Sequence, residues 1–287
     1  MIGELLFGRY RVESLQASSA NGQVWRGLDT ETAGPVSIKL WAEGDSERAL
    51  LEGEAMAALR HDNVVRLVDF GLLEGGRPCL VMEGVDGLTL AQALTEVGRM
   101  SWFEVFDLGA QVLEGLAALH DEGLVHRNLS PNAIMIRSGV ARRIKLVGLD
   151  QVSLVAAEEQ PLSFDSRASS AAAYAAPELL AGTGCRPASD IYSLGVVLWH
   201  AISGHAPFVD MPVDIACRIA FRPDFDRLPP GSPMLPVAAQ LALDRMLRPS
   251  VPQRDSDARL VARRLRAALG VQTAPKTDTG TFARAVG

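Results

Sequence analysis

Apolar and polar positions alternate with a period of two through much of the first hundred residues, which predicts β-strands. Tyr10–Ser14 and Gly22–Leu28 are two such runs, joined through Asn21 and Gly22, a residue pair that favours a tight hairpin turn. Val36–Trp41 alternates in the same way, and Val64–Phe70 and Pro78–Met82 add two more strands. Asp45–Leu59 interrupts this alternation. There Leu51, Ala55, Met56 and Leu59 recur at helical spacing behind an Asp45/Ser46 start. After Gly87 the period lengthens. Ser101 and Glu104 have the spacing of a capping box, and the helix they open runs to about His120. Asp190–Ser203 is a strongly apolar helix closed by Gly204, and Pro212–Ala220, Met234–Leu247 and Ser256–Leu269 read as three more. A β-rich segment followed by a helical one predicts an α+β chain in two lobes. The expected division is a short extension over 1–8, an N-lobe over 9–83, a hinge at 84–87 and a C-lobe over 88–269. Residues 270–287, rich in Thr, Gly, Pro and Ala, read as a flexible tail or linker.

Composition narrows this reading only a little. The chain has 287 residues, 48% of them hydrophobic and 22% charged, enough apolar mass for a sizeable core. Its net charge of -6 argues against a nucleic-acid footprint, which needs a basic stripe or domain. Cys79, Cys185 and Cys217 are far apart and odd in number, so neither a disulfide framework nor a zinc site is expected. That usage fits a reducing compartment and predicts a cytoplasmic protein. No apolar run approaches the ~18 residues that span a bilayer, and the N-terminus lacks the form of a signal peptide. Lysine is scarce: Lys39, Lys145 and Lys276 are the three in the chain.

The candidate chemistry lies in a series of short motifs. Val36-Ser37-Ile38-Lys39 ends in a lysine inside an alternating strand, and Glu52 follows on the next helix. Further on come His126-Arg127-Asn128-Leu129-Ser130-Pro131-Asn132-Ala133, then Gly148-Leu149-Asp150, then Ala176-Pro177-Glu178, and then Asp190 at the head of the apolar helix. In order and spacing these resemble the strand lysine, catalytic loop, metal-binding and A-P-E motifs of eukaryotic-type Ser/Thr protein kinases. The resemblance covers about residues 9–269, and Val81–Gly87 is similar to the bacterial branch in particular. It implies the bilobal kinase fold. It also implies a nucleotide pocket built from Val24, Ser37, Lys39, Glu52, Met82 as gatekeeper, Glu83 and Val85 at the hinge, and Met135. His126, Glu178, Asp190 and Arg254 would be scaffold residues, with Glu178 and Arg254 paired.

The departures from the family pattern cluster where phosphate, metal and proton would be. Asn128 stands where the family has its proton-accepting aspartate, and an amide takes no proton at working pH. Ser130 replaces a cation, Ala133 replaces a metal-binding asparagine, and Gly148 replaces the metal-binding aspartate. Asp150 reads as a loop acid rather than a relocated ligand. Aligned on Val24, the glycine-rich loop keeps Gly22 but has Ala17 and Ser19 at its first two glycine positions. The expectation is therefore a catalytically inactive, kinase-like regulatory scaffold, with no metal and with ATP bound weakly and without help from Mg²⁺ if at all. The alternative is a weakly active, metal-sparing Ser/Thr kinase. Expected partners are proteins: an active Ser/Thr kinase, or a phosphothreonine-reading domain that would bind Thr277, Thr279 or Thr281 once phosphorylated. Neither nucleic acid nor membrane is expected as a partner.

Overall fold

The computed structural model describes residues 1–19, 22–42, 44–139, 144–154, 170–207 and 234–270. The expected helix at Pro212–Ala220, the Asn21 turn residue, most of Ser163–Ala173 (a Ser/Ala-rich run that resembles a kinase activation segment), and Thr277, Thr279 and Thr281 lie outside them.

Six antiparallel strands form the N-terminal sheet: β1 (Leu5–Leu6), β2 (Tyr10–Ser19), β3 (Gly22–Asp29), β4 (Pro35–Trp41), β5 (Leu67–Leu72) and β6 (Pro78–Glu83), in the order β1-β2-β3-β4-β6-β5. β2 runs five residues beyond the expected Ser14 and keeps pairing with β3 past two register shifts, between Val12 and Ser14 and between Leu15 and Ala17. The expected strand from Val64 begins only at Leu67. Val64 and Val65 are buried elsewhere, Val64 bridging Leu146 and the Val65 N–H bonding the Leu146 carbonyl at 2.9 Å. Period two then divides β4 between two cores. Ile38 and Leu40 join Tyr10, Val12, Trp25 and Val81 on one face, while Trp41 joins the larger core shared with the helices.

Helix α1 (Ser46–Ala58) packs under this sheet with Glu52, Ala55 and Met56 inward. Of the expected apolar stripe Ala55, Met56 and Leu59 are buried, but Leu51 is 52% exposed, and Glu52 turns inward instead to meet Lys39. A short strand β7 (Gly87–Thr89) leads into α2 (Leu90–Val97), a helix the apolar pattern did not reveal. Its signal was in the sequence as Thr89-x-x-Gln92. The Thr89 hydroxyl accepts the Gln92 N–H at 3.1 Å, and the Gln92 carbonyl oxygen accepts the Thr89 N–H at 2.8 Å. Helix α3 (Trp102–Asp121) starts at Ser101 as expected, but the Glu104 carboxylate bonds the Ser101 hydroxyl. β8 (Leu124–Val125), β9 (Ile134–Arg137), β10 (Ile144–Leu146) and β11 (Ser153–Leu154) are short ladders around the loops between the lobes. Helix α4 (Pro177–Leu180) and the almost wholly buried α5 (Pro187–Ser203) follow, and Val237–Met246 and Ala258–Gly270 are helical. The result is the expected α+β, kinase-like arrangement of a curled β-rich N-lobe on helices. Among the described residues no helix is long and apolar enough to cross a membrane.

Near the end of α5, His200 stacks on Tyr174, whose hydroxyl lies 2.9 Å from Nδ1. Burial, assisted by nearby His205, holds the imidazole down at about 4 from its usual 6.5. The unfolded chain therefore binds this proton more readily than the folded one, and the stability His200 contributes is lost as pH falls from 6.5 through about 4. Urea unfolding at pH 7 and pH 5 should show a smaller loss for His200→Phe than for the unaltered protein. Equal losses would remove His200 as the cause.

Candidate functional site

Cross-strand register assembles one side of the cleft. Lys39 lies opposite Val24 on β3 and Leu80 on β6, and Ser37 lies opposite Met82, so all five share the face of the sheet turned toward the C-lobe. Lys39 is 8% exposed and its Nζ sits 2.7 Å from Oε2 of the buried Glu52. Glu54, two residues on, is exposed. Val24, Ser37, Val85 and Met135 remain half-buried, as walls of an open cleft would be. The Ser37 hydroxyl donates to the Gln16 carbonyl oxygen at 3.2 Å. Ala17 is exposed on β2, and the side chain of Ser19 lies outside the description.

At the hinge, Glu83 points away from the cleft. Its carboxylate takes the Lys145 ammonium at 2.5 Å and the Arg66 N–H at 3.0 Å, and the Glu83 N–H bonds the Arg66 carbonyl at 2.9 Å. Lys145 also reaches the Val64 carbonyl at 3.2 Å. These bonds pin the back of the hinge and leave its front to the main chain. The N–H and C=O of Val85 carry no hydrogen bond among the described residues, and so offer a donor and an acceptor at the cleft edge. The Lys145 contact was not anticipated, although its rarity in the chain marked it for attention.

The loop at 126–133 is held from below by Asp190, which is fully buried. One of its oxygens accepts the His126 N–H at 2.9 Å and lies 2.9 Å from His120 Nε2, and the other accepts the Arg127 N–H at 2.9 Å. Arg127 adopts a left-handed φ of 65°, a strained turn that this carboxylate stabilises. His126 is buried, with Nε2 3.2 Å from the Val147 carbonyl. Asn128 is half-buried at the turn, and Ser130 and Ala133 are buried beside it. Gly148 is left-handed, φ 74° and ψ 48°, and opens a tight turn over Leu149–Gln151. Met56, Leu80 and Leu149 are buried in one core that joins the lobes above this loop. The family resemblance implies that Met56, Leu149 and His126 stack between the lobes, and it does not point to Leu80.

Glu178 and Arg254 lie far from the cleft and close the C-lobe. The guanidinium bonds both carboxylate oxygens, at 2.8 and 2.6 Å, and the Ser189 hydroxyl donates to Glu178 at 2.6 Å. The cysteines among the described residues take no part in the site. Burial pushes the Cys79 thiol up to about 12, and half-buried Cys185 lies 3.3 Å from the Ser153 hydroxyl.

The family model for the protein kinase domain matches residues 18–263. Serine/threonine-protein kinase PknA of Mycobacterium tuberculosis is 34% identical over 245 residues, covering 82% of this chain and 55% of that protein. PknL of the same organism is 36% identical over 224 residues, 76% of this chain and 54% of its own. The serine/threonine-protein kinase pkn2 of Myxococcus xanthus is 36% identical over 214 residues, 71% of this chain and 25% of its own. The chain spans about half the length of PknA and PknL. Two expectations are overturned by these relatives, that the chain is no enzyme and that it uses no cofactor. All three are named as protein kinases, members of an enzyme family that uses ATP with Mg²⁺. The sequence reading had treated each replaced polar group as indispensable. Phosphoryl transfer depends mostly on positioning and charge, and a paired lysine and a braced catalytic loop are both in place. A family match across most of the chain, relatives above 30% identity, and the lysine–glutamate pair over the Asp190-held loop agree: the chain belongs to the protein kinase domain family.

Proposed function

We propose that this chain is an atypical Ser/Thr protein kinase domain, moving the γ-phosphoryl group of ATP slowly to a serine or threonine hydroxyl of a protein. The observation that carries the reading is the buried Lys39–Glu52 pair at 2.7 Å, which sets an ammonium under the sheet where the nucleotide's phosphates would lie. The unbonded N–H and C=O of Val85 meet the adenine edge, with Val24 above the ring and Met135 below. The activity of the whole protein, its substrates and a cytoplasmic setting belong to the same proposal.

The chain's own groups define a spare mechanism. Lys39 fixes the phosphates and offsets their charge. The Asn128 carbonyl oxygen accepts a hydrogen bond from the substrate hydroxyl and aims it in line with the γ-phosphorus, without removing its proton. As the bond from phosphorus to the leaving oxygen of ADP breaks and the new P–O bond forms, the hydroxyl proton passes to a phosphoryl oxygen. A loose transition state asks little of a base, so such a centre is slow rather than inert. Mg²⁺ belongs to the family's reaction, and its fit is decided by the donors present. Ala133 and Gly148 offer no side-chain oxygen, and among the described residues no three His, Cys, Asp or Glu side chains converge. These residues do not fit the ion in the family's manner, and no step above passes through it.

Radiolabelled ATP with generic protein substrates, in Mg²⁺ and in Mn²⁺, should give label above a boiled control. Lys39→Met should reduce it to that control while the protein stays folded. Incorporation equal to the boiled control under both metals would overturn the reading.

A further inference from the structure

Lys39 has a neighbour that neither the motif comparison nor the mechanism uses. Alternation along β4 puts Trp41 on the same face as Lys39. The ammonium lies 4.0 Å from the centroid of the Trp41 ring, as well as 2.7 Å from Glu52. Trp41 is fully buried, and its place is fixed from the main chain. Arg77 Nε donates to the Trp41 carbonyl at 2.7 Å, and Gly22 of β3 packs so closely that a Cβ there would come within 2.9 Å of the Trp41 Cα. A cation over an indole face is drawn by the ring quadrupole, more strongly for Trp than for Tyr or Phe and more strongly still when water is excluded. Both conditions are met, since Lys39 is buried too.

We infer that Trp41 is a positioning residue for Lys39, a second anchor that holds the ammonium beside Glu52. A lysine on a flexible four-carbon stem, tied only to a carboxylate, can swing about that carboxylate. The ring on its other side restricts the swing. The consequence rests on the phosphotransfer reading and deepens it. Ser130 brings no cation to the phosphates, and Ala133 and Gly148 bring no side-chain oxygen to a metal, so the placement of Lys39 carries more of the nucleotide's orientation. The ammonium should stay in place when Glu52 is neutralised, because the ring remains.

The test reads the lysine itself, without nucleotide. Selective ¹³C labelling of lysine gives three ε-methylene correlations, one each for Lys39, Lys145 and Lys276, and Lys39→Arg assigns the one of interest. The ring current of Trp41 should displace the Lys39 resonance upfield of the other two. Trp41→Leu should abolish the displacement and Trp41→Phe should keep part of it. Glu52→Gln should leave it upfield. A Lys39 resonance at the ordinary lysine position in the unaltered protein would overturn the proposal. So would its return to that position in Glu52→Gln. Should Trp41→Leu fail to fold, Trp41→Phe and Glu52→Gln still decide the question. Absence of phosphotransfer would leave these resonances unchanged, so the two readings fail separately.

Discussion

Arg254→Ala should destabilise the domain by roughly 3–5 kcal/mol, the range for removing one partner of a buried ion pair. Arg254 is 6% exposed and Glu178 8%, and the guanidinium holds both carboxylate oxygens. It also donates to the carbonyls of Ala188 at 3.0 Å and Pro249 at 2.7 Å, and lies over the Tyr192 ring at 4.9 Å. Its loss leaves a buried carboxylate with the Ser189 hydroxyl as its remaining polar contact among those described. Two carbonyls lose a donor as well. Set against a typical total of about 5–15 kcal/mol, that is a large fraction of the whole. Glu178→Leu should cost a similar amount, since it strands the cation instead. The double variant, Glu178→Leu with Arg254→Ala, should cost clearly less than the two single changes together, because no uncompensated charge then remains. Urea unfolding of the three variants measures this. Additive costs would show that the two side chains contribute independently, and the pair would lose its place as the tie between α4 and the segment before the last helix.

Much of this was legible in the sequence, and the gaps have physical causes. The pairing of Lys39 with Glu52 came from the family resemblance, since the apolar pattern of that helix pointed inward through Leu51 rather than Glu52. Glu178 and Arg254 could be paired only through the family resemblance, since nothing local links residues 76 apart. Helix α2 was missed because eight residues give too short a run for periodicity, although its Thr89–Gln92 capping pair was there to find. The first residues of the Val64 strand were misplaced because burial on every side looks the same in a strand and in a buried connection. Lys145 with Glu83, and Trp41 with Lys39, were hidden for a common reason. Each contact joins side chains whose meeting depends on how elements pack, which neither period reports. The error over activity was different in kind. The replaced residues were read correctly, but the chemistry was judged by what had been lost rather than by how much positioning remained.

The same replacements supply the other large effect. Asn128→Asp should raise phosphotransfer by roughly 10²–10⁴-fold, the usual contribution of a positioned proton acceptor. The backbone is ready for it. The Arg127 and His126 N–H groups are already fixed by Asp190, so a carboxylate at 128 would occupy the half-buried place where the amide now sits. Gly148→Asp and Ala133→Asn together restore side-chain oxygens at the two positions that would hold a metal. Gly148 has left-handed φ and ψ of 74° and 48°, a region where aspartate is among the better-tolerated non-glycine residues, at a stability cost of about 1–2 kcal/mol. Ala133 is buried, so an asparagine there adds a further cost until its amide finds a partner. The triple variant should therefore melt somewhat lower than the unaltered protein while transferring phosphate faster, and its gain over Asn128→Asp should require added Mg²⁺. Effects of residues that act as a unit are not additive, so the triple variant should exceed the product of the single changes. The radiolabel assay, read beside a thermal melt that shows the variant folded, decides the matter. A folded triple variant no faster than the unaltered protein would mean that the cleft does not present ATP to an acceptor hydroxyl, and the kinase reading of this centre would fall with it.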